Sequence, residues 1–293
     1  MSSGFVVDNY PYSLGKDIDG TPTCINKIHD IVFSIMIEID RICRKNNIPY
    51  ALAFGSALGL YNYQGFIPWD DDADIAVDYF DIPRLVEALK NDLSDEFDFT
   101  CYEKDQRCNV LIPTIKVKKK YGYMQDKNWF VIPDRTGSYE GFFVDIVAFM
   151  GMKDAKTHRK IIAKSQRRLV GYYIMDGIFR VDPKKMKARI KAEEKKYAEA
   201  YKNANFVCQS PIIPFQTAKI NLYPREMIYP FKEYEFNGHK FYSFNDVAGF
   251  CLIRYGEKCL KHFDGEKYID LFPKSKRKTM HVRRFHFPKE KEN

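Results

Sequence analysis

The sequence has no long apolar run and no leader-like beginning. A membrane-spanning helix needs about 18 or more consecutive apolar residues, and none occur, so we expect no transmembrane segment. The first twenty residues, MSSGFVVDNYPYSLGKDIDG, lack the basic stretch followed by an apolar one that marks a secretory signal peptide. These two absences predict a protein that is made and kept in the cytoplasm.

The sequence also lacks the Cys and His patterns of common disulfide and zinc proteins. Its seven cysteines are odd in number and scattered, with no Cys-x-x-Cys pair, which argues against a disulfide framework or a four-cysteine zinc site. Its six histidines include no His-Glu-x-x-His motif, which argues against a zinc hydrolase. We expect the cysteines to be reduced and mostly packed in the interior, where free cysteine is often found.

What the chain does contain is enough apolar sequence for a folded core, together with excess positive charge. Of its 293 residues, 45% are hydrophobic and 29% are charged, and the net charge is +8. Much of the excess lies in residues 273–293, where eight Lys and Arg stand against two Glu. Such a basic tail suits anionic lipid head groups, a phosphorylated glycan or nucleic acid, and it predicts peripheral contact with the inner face of the membrane. A solvated end that aids solubility is the alternative.

Periodic apolar residues predict an alternation of helices and strands in the first half of the chain. Isoleucines at spacings of three and four mark the first helix, and Asp81 is placed to cap the last one. The elements predicted in order are a helix over 25–47, a strand over 50–54, a short helix after the Gly55-Ser56 turn, a strand over 73–77 and a helix over 82–93. This alternation is typical of an α/β core.

The second half combines two strand-like segments with basic helices and a hairpin. The predicted elements are strands over 110–118 and 141–149, helices over 153–171 and 183–202, a hairpin over 234–242 and a helix ending near Gly256. Asn237-Gly238 favours a two-residue hairpin turn, because both positions of that turn need a positive φ. Asp182 and Asn245 are predicted to cap the helices that follow them.

Together these elements predict an α+β fold, with an α/β-like core of mixed β-sheet flanked by helices and a mainly helical C-terminal part. We expect four segments along the chain. They are an N-terminal extension over 1–22, a catalytic core over 23–150, a helical region with a β-hairpin over 151–272 and the basic tail over 273–293.

Negative charge is concentrated in the stretch FIPWDDDADIAV, beside a strand-like segment. Asp70, Asp71, Asp72 and Asp74 lie within five positions, and carboxylates this close repel one another unless a cation or hydrogen-bond donors compensate them. Asp72 and Asp74 are two residues apart, so at the entry of a strand they project to the same side. Asp145, alone in the apolar run GFFVDIVAF, joins them if its strand lies beside theirs. Three such carboxylates are hard oxygen ligands for Mg²⁺ or Mn²⁺.

Upstream of the acids, Gly55-Ser56 offers a second element of a site. It follows a strand and precedes a helix, so it combines a flexible backbone, a hydroxyl and exposed helix N-terminal amides, which together suit a phosphate group. A Gly-Ser turn followed by a carboxylate pair and by a third carboxylate on a later strand resembles the plan of the nucleotidyltransferase fold.

The run IPYALAFGSALGLYNYQGFIPWDDDADIAV, residues 48–77, resembles the signature of the LicD family. GFFVDIVAF is similar to the family's strand with the third acid, and MIYPFKEYEFNGHKFYSFNDVAGFCLIRYGE resembles its late tyrosine-proline, hairpin and Tyr-Gly segment. The family includes bacterial enzymes that transfer phosphocholine from CDP-choline to cell-surface glycans, and its relatives include ribitol-phosphate transferases. The resemblance covers residues 28–260 and implies a nucleotidyltransferase-like core.

The resemblance implies a phosphotransferase that acts on a CDP-linked donor. Asp72, Asp74 and Asp145 would bind one or two Mg²⁺ or Mn²⁺ ions that bridge the donor diphosphate. Ser56 and the Gly55 backbone would hold a donor phosphate.

The resemblance also suggests residues that handle the acceptor and the phosphates. Asp70 or Asp71 would orient or deprotonate the acceptor hydroxyl, on a glycan or lipid-linked glycan such as lipopolysaccharide or teichoic acid. Lys116 and Lys118, one residue apart on a predicted strand, are candidates for phosphate contact, and a solvated strand face is the alternative for both.

Two other functions stay open. A nucleotidyltransferase proper would transfer NMP from an NTP to a small molecule, RNA or protein and release pyrophosphate. A nucleic-acid-binding protein would use the basic helices and tail, but no RNA- or DNA-binding motif accompanies the charge, so we do not expect nucleic acid as a partner.

Overall fold

The computed structural model describes residues 25–67, 70–108, 115–119, 123–126, 142–179, 181–211, 221–257 and 283–286. Within these ranges the chain folds as helices packed on a mixed β-sheet, so the predicted α+β class is confirmed. None of the helices in these ranges has the length and apolar character needed to cross a membrane.

The first half of the chain follows the predicted alternation closely. Its elements are α1 (Ile25–Lys45), β1 (Tyr50–Leu52), α2 (Phe54–Tyr63), β2 (Ala73–Asp78), α3 (Ile82–Asp92), β3 (Phe97–Cys101), β4 (Ile115–Lys119), β5 (Tyr123–Asp126) and β6 (Phe143–Met152). Strand β3 is an addition to the prediction. Phe97, Phe99, Thr100 and Cys101 are buried and Asp98 is half-buried, so the strand is covered on both faces along most of its length.

The second half adds two long helices and several short strands. Its elements are α4 (Ala155–Tyr173), α5 (Lys184–Ala200), β7 (Phe206–Gln209), β8 (Tyr223–Pro224), α6 (Arg225–Ile228), β9 (Lys232–Phe236), β10 (His239–Ser243), α7 (Val247–Tyr255) and β11 (Arg283–His286). A π-helical turn over Ile174–Ile178 follows α4.

The large sheet joins strands from both halves of the chain. Its order is β3-β4-β6-β2-β1-β10-β9, and β7 pairs with the end of β6 and with β8. The β2-β6 and β1-β10 pairs are parallel, and the other neighbours in this order are antiparallel. Strands β5 and β11 form a separate two-stranded sheet. Because β2 and β6 run the same way, their first residues meet at one edge of the large sheet.

Helix α1 covers the sheet with the apolar face that its sequence predicts. Ile28, Val32, Ile35, Ile39 and Ile42 are fully buried. Burying one such side chain stabilises the fold by roughly 1.5–3 kcal/mol, so this face anchors α1 without help from its charged side.

The predicted caps of α5 and α7 are both wrong by one residue. Helix α5 begins after Pro183, and Asp182 instead pairs its carboxylate with Lys187 at 3.0 Å. Helix α7 is capped by Asp246, whose Oδ1 accepts from the Gly249 N–H at 2.8 Å. A side chain at Gly249 would collide with the Asp246 carboxylate, so the glycine is what admits this cap.

Asn245, the residue predicted to cap α7, points elsewhere and donates from Nδ2 to the carbonyl of Glu226. The Asn237-Gly238 turn has φ values of 49° and 76°, as its hairpin requires, and this prediction is confirmed.

The cysteines in the described ranges are free and buried, as expected. They are Cys43, Cys101, Cys108, Cys208 and Cys251. Residues 1–22, most of the basic tail and the first half of the predicted strand over 110–118 lie outside the described residues.

Candidate active site

Two predicted acids lie side by side where β2 and β6 begin. Asp74 is the direct register partner of Asp145 in this parallel pair. Register partners on neighbouring strands point to the same face of a sheet, so both carboxylates belong to one face. The sequence predicts that Asp145 joins the other acids if its strand lies beside theirs, and the structure meets this condition for Asp74.

The loop before β2 gathers three further carboxylates. Asp70, Asp71 and Asp72 each offer an oxygen within 4.8 Å of the others. Asp70 is 4% exposed and Asp71 is fully buried, whereas Asp72 is half-buried. Crowding like charges away from water costs free energy, which a divalent cation offsets. The donor set consists of hard oxygens, so it fits Mg²⁺ or Mn²⁺.

Gly55 connects the loop acids to the strand acids. A Cβ at this position would lie 2.6 Å from Asp70 Oδ2 and 3.9 Å from Asp74 Oδ2. Both carboxylates therefore lie close to Gly55, and they can do so because this residue has no side chain. Glycine is needed here for close approach, in addition to the flexibility that the sequence suggests.

The turn between β1 and α2 positions Ser56 beside the same acids. Phe54 has a φ of 44°, in the left-handed region that an aromatic residue rarely adopts, and Gly55 and Ser56 follow it in the first turn of the helix. Ser56 Oγ accepts from the Asp74 N–H at 2.9 Å, and the Ala53 N–H donates to the Asp74 carbonyl at 3.0 Å. The first amides of α2 therefore open toward the entry of β2.

Lys116 brings a positive charge to the third acid. It is the register partner of Asp145 on β4, and its Nζ lies 2.7 Å from Asp145 Oδ1. The ammonium also lies 3.2 Å from the centre of the Phe143 ring. Lys116 is 4% exposed and Lys118 is 8% exposed, so the alternative of a solvated strand face is wrong for both.

Two residues outside the sequence prediction border the site, and the first is His29 on α1. Its Nε2–H donates to the Asp70 carbonyl at 2.8 Å, and its ring stacks on Phe66 with centroids 4.4 Å apart. Burial lowers the pKa of His29 to about 4, against the opposing influence of Asp70 and Asp71. His29 is therefore neutral at pH 7, so it orients the acidic loop without supplying positive charge.

The second is Tyr255, the last residue of α7. Desolvation raises the pKa of Tyr255 well above its ordinary value, and the negative charges of Asp74 and Asp70 raise it further. The phenol therefore keeps its proton at neutral pH, although the residue as a whole is 38% exposed. Beside it, the Arg254 guanidinium lies 4.9 Å from the centre of the Phe54 ring, which packs α7 against the start of α2.

The β9-β10 turn supports the acidic loop from behind. The Asn237 N–H donates to the Gln64 carbonyl at 2.7 Å, and a side chain at Gly65 would collide with the Asn237 amide. The Phe66 and Phe236 rings meet edge to face with centroids 5.1 Å apart. The path from α2 into the acidic loop is thus held by a turn far away in sequence.

Residues 47–170 match the family model of the LicD/FKTN/FKRP nucleotidyltransferase domain. This stretch of the chain is therefore similar to the LicD family, over less than half of the chain's 293 residues. The match includes the Gly55-Ser56 turn, the acidic loop and Asp145. Within the described residues, the group of three carboxylates with oxygens within 4.8 Å of one another is Asp70, Asp71 and Asp72, and it includes neither Asp74 nor Asp145, two of the ligands predicted from the sequence.

Three curated proteins are similar to parts of the chain. Over 73 residues it is 26% identical to the lipopolysaccharide cholinephosphotransferase LicD of Haemophilus influenzae, and this stretch covers 25% of the chain and 28% of that protein. Over 58 residues, 20% of the chain, it is 36% identical to an uncharacterized protein of Rickettsia prowazekii and 38% identical to one of Rickettsia typhi. These stretches cover 22% and 19% of the Rickettsia proteins, so the similarity spans less than a third of each relative.

Proposed function

We propose that this chain is a metal-dependent transferase of the LicD type, which moves phosphocholine from CDP-choline to a hydroxyl of a cell-surface glycan or glycan precursor. The observation that carries the proposal is the meeting of Asp74 and Asp145 on adjacent strands, bordered by the Asp70–Asp72 cluster and the Gly55-Ser56 turn. The similarity to a protein named as a lipopolysaccharide cholinephosphotransferase supports the same reaction class.

The carboxylates are the residues that would hold Mg²⁺ or Mn²⁺. Asp72, Asp74 and Asp145 are the ligands expected from the sequence, and the burial of Asp70 and Asp71 within the cluster favours a similar role for them. A bound divalent ion offsets negative charge on the donor diphosphate and on the departing CMP. Deprotonation of the acceptor hydroxyl by Asp70 or Asp71 is the alternative role for these two residues.

Other groups of the chain would bind and orient the donor. The hydroxyl of Ser56, whose oxygen already accepts from the Asp74 amide, retains a proton to donate to a phosphate oxygen. The first amides of α2 add backbone donors at the same place. Lys116 holds its ammonium beside Asp145, where a donor phosphate would compete with that carboxylate for it. Tyr255 adds a neutral hydroxyl at the end of α7.

The proposed partners follow from this reaction. The donor is CDP-linked, the acceptor is a glycan or lipid-linked glycan, and the reaction takes place at the cytoplasmic side of the membrane. The basic tail over 273–293 is the segment that the sequence offers for peripheral contact with that surface.

Release of CMP from CDP-choline in the presence of Mg²⁺ tests the proposal. Asp74→Asn should lower turnover by about 10²-fold or more while the thermal unfolding midpoint stays within a few degrees, since this change removes a charge from the reacting centre and little packing. Asp105→Asn is the matched control, because Asp105 is a loop acid paired with Arg107 and should leave turnover unchanged. Turnover close to that of the unmodified protein in folded Asp74→Asn contradicts the assignment.

Transfer of NMP from an NTP is the second candidate function. The description of the matching family model as a nucleotidyltransferase domain favours it. The two reactions differ in their products: CMP release from a CDP-linked donor indicates transfer of the phospho-substituent, whereas pyrophosphate release from an NTP indicates NMP transfer. A parallel product assay with CDP-choline, CDP-ribitol, CDP-glycerol and the four NTPs separates them and identifies the donor head group.

A further inference from the structure

The connection between α4 and α5 displays a group of large apolar side chains to solvent. We call residues 170–179 and 181 the apolar tip. Six of the eleven exposed large hydrophobic residues in the described ranges lie within it: Val170, Ile174, Met175, Ile178, Phe179 and Val181. Ile178 and Phe179 are each 64% exposed, the highest values of the eleven. Apolar residues exposed singly are common, but a contiguous group marks a surface that contacts a partner.

The backbone of the apolar tip is ordered by its own hydrogen bonds. The π-helical turn continues α4, the Phe179 N–H donates to the Ile174 carbonyl at 3.3 Å, and the Val181 N–H donates to the Met175 carbonyl at 3.1 Å. Asp176 is fully buried beneath this turn, so its carboxylate is withdrawn from the surface. The turn therefore presents apolar side chains outward and keeps its acidic one inward.

The surface around the apolar tip is basic. Residues 156–189 contain eleven Lys and Arg but just two acids, Asp176 and Asp182. Asp176 is buried and Asp182 is paired with Lys187 at 3.0 Å. The exposed basic side chains nearest in sequence lie on both flanking helices: Arg167, Lys184, Lys185 and Arg189. Lys164 and Arg168 on α4 are instead paired with Glu193 of α5.

We propose that the apolar tip inserts into the head-group region of an anionic lipid bilayer, with Ile178 and Phe179 reaching toward the acyl chains. An apolar centre with a rim of one charge sign matches such a surface, which offers apolar chains beneath a layer of phosphates. A second copy of the chain fits less well, because it would bring two basic rims together. The proposal concerns where the protein docks, and it goes beyond the transfer reaction without depending on it.

Binding of the full chain to lipid vesicles tests the proposal. The unmodified protein should sediment with vesicles of equal parts phosphatidylglycerol and phosphatidylcholine, and much less with phosphatidylcholine alone. The double variant Ile178→Ser/Phe179→Ser should lose about tenfold or more in affinity for the anionic vesicles, since two large apolar groups no longer leave water. Ile37→Ser is the matched control, because Ile37 is an exposed isoleucine on α1, and it should bind like the unmodified protein.

The same assay separates this proposal from its competitors. Binding through the basic tail alone would leave the affinity of Ile178→Ser/Phe179→Ser unchanged, and that result overturns the proposal. So does self-association of the unmodified protein, seen by gel filtration, that disappears in the double variant while vesicle binding persists.

Two further variants keep the test independent of folding. Lys184→Glu/Lys185→Glu should weaken binding to anionic vesicles and leave the low affinity for neutral ones unchanged, because its effect is electrostatic. Phe179→Trp keeps an aromatic side chain at the apolar tip, and brominated lipids in the vesicles should quench its added fluorescence. Absence of that quenching in vesicle-bound protein contradicts insertion at the apolar tip.

Discussion

Two places in this protein bury acidic side chains, and the groups around those side chains differ. The first place is Asp40. This residue is 4% exposed, and its carboxylate receives Arg44 Nε at 2.7 Å, the Tyr50 hydroxyl at 2.5 Å and His239 Nε2 at 3.1 Å. A cation and two hydrogen-bonding side chains thus surround one negative charge. The arrangement ties α1 to β1 and β10 and stabilises the fold.

The second place is the acidic loop, where charge of one sign accumulates. Asp70 is as buried as Asp40, yet it lies against Asp71 and Asp72, with their oxygens within 4.8 Å. Like charges in this position reduce stability and raise affinity for a cation. The difference teaches that burial alone does not distinguish a structural acid from a binding acid, whereas the presence of further carboxylates within metal-ligand distance does.

Removal of the Asp40 carboxylate should produce the largest change in stability. Asp40→Ala leaves Arg44, Tyr50 and His239 without their shared acceptor, so we expect a loss of about 3 kcal/mol in the free energy of unfolding. Urea unfolding measures this loss. Turnover per folded molecule should stay unchanged, and a selective loss of turnover with full stability would mean that Asp40 belongs to the site.

Gly55→Ala should lower turnover with little change in stability, the reverse of what we expect for Asp40→Ala. The new Cβ would lie 2.6 Å from Asp70 Oδ2, so the carboxylate must shift, and a displacement of this kind lowers turnover by about 10- to 100-fold. Gly171→Ala is the control, because its Cβ would make an ordinary contact with Met186 at 3.5 Å. CMP release and thermal unfolding, measured on both variants, distinguish a shifted acid from a general loss of folding.

Mg²⁺ should stabilise the protein through the acidic loop and not through Asp40. At a Mg²⁺ concentration ten times its dissociation constant, binding to the native state adds about 1.4 kcal/mol of stability. Asp71→Asn should lose this gain, because it removes one of the three clustered carboxylates that would hold the ion. Asp92→Asn should keep the gain. Thermal shift with and without EDTA measures both effects, and an equal Mg²⁺ response in Asp71→Asn contradicts the prediction.

Two tyrosine-to-phenylalanine changes, each of which removes one hydroxyl, compare the surroundings of Asp40 with those of the acidic loop. Tyr50→Phe removes a hydrogen bond to Asp40 and should lower stability by about 1 kcal/mol with turnover unchanged. Tyr255→Phe removes a donor near Asp74 and should lower turnover several-fold with stability unchanged. Calorimetry and steady-state kinetics on the pair check the prediction, and interchanged results would reverse the roles of the two hydroxyls.

Much of the site is predictable because its residues are local in sequence. A lone acid within the apolar run GFFVDIVAF and a second acid at the entry of another strand single out Asp145 and Asp74, and the structure then shows that their strands are neighbours. The Gly55-Ser56 turn is readable for the same reason, since a strand and a helix flank it directly. The Asn237-Gly238 hairpin follows from backbone preference alone.

The remainder depends on tertiary packing that spacing does not encode. His29 and Tyr255 reach the site from α1 and α7, and no periodicity in either helix indicates where it docks. The burial of Asp70 and Asp71 is also not encoded in their spacing, because it depends on how the chain leaves α2, where the β9-β10 turn holds Gln64. Helix α7 is capped by Asp246 rather than Asn245, because Gly249 leaves room for the Asp246 carboxylate. Both residues are of a type that caps helices, so the sequence alone does not choose between them.

The contact between the β9-β10 turn and Gln64 has a consequence for the order in which the protein acquires its structure. Synthesis proceeds from the N-terminus, so the acidic loop leaves the ribosome long before Asn237 and Gly238 do. Until then β1 lacks its neighbour β10, and the loop lacks the turn that supports it. The site is therefore completed late in translation, and a chain truncated before residue 239 would carry every acid of the site without the support that holds them in place.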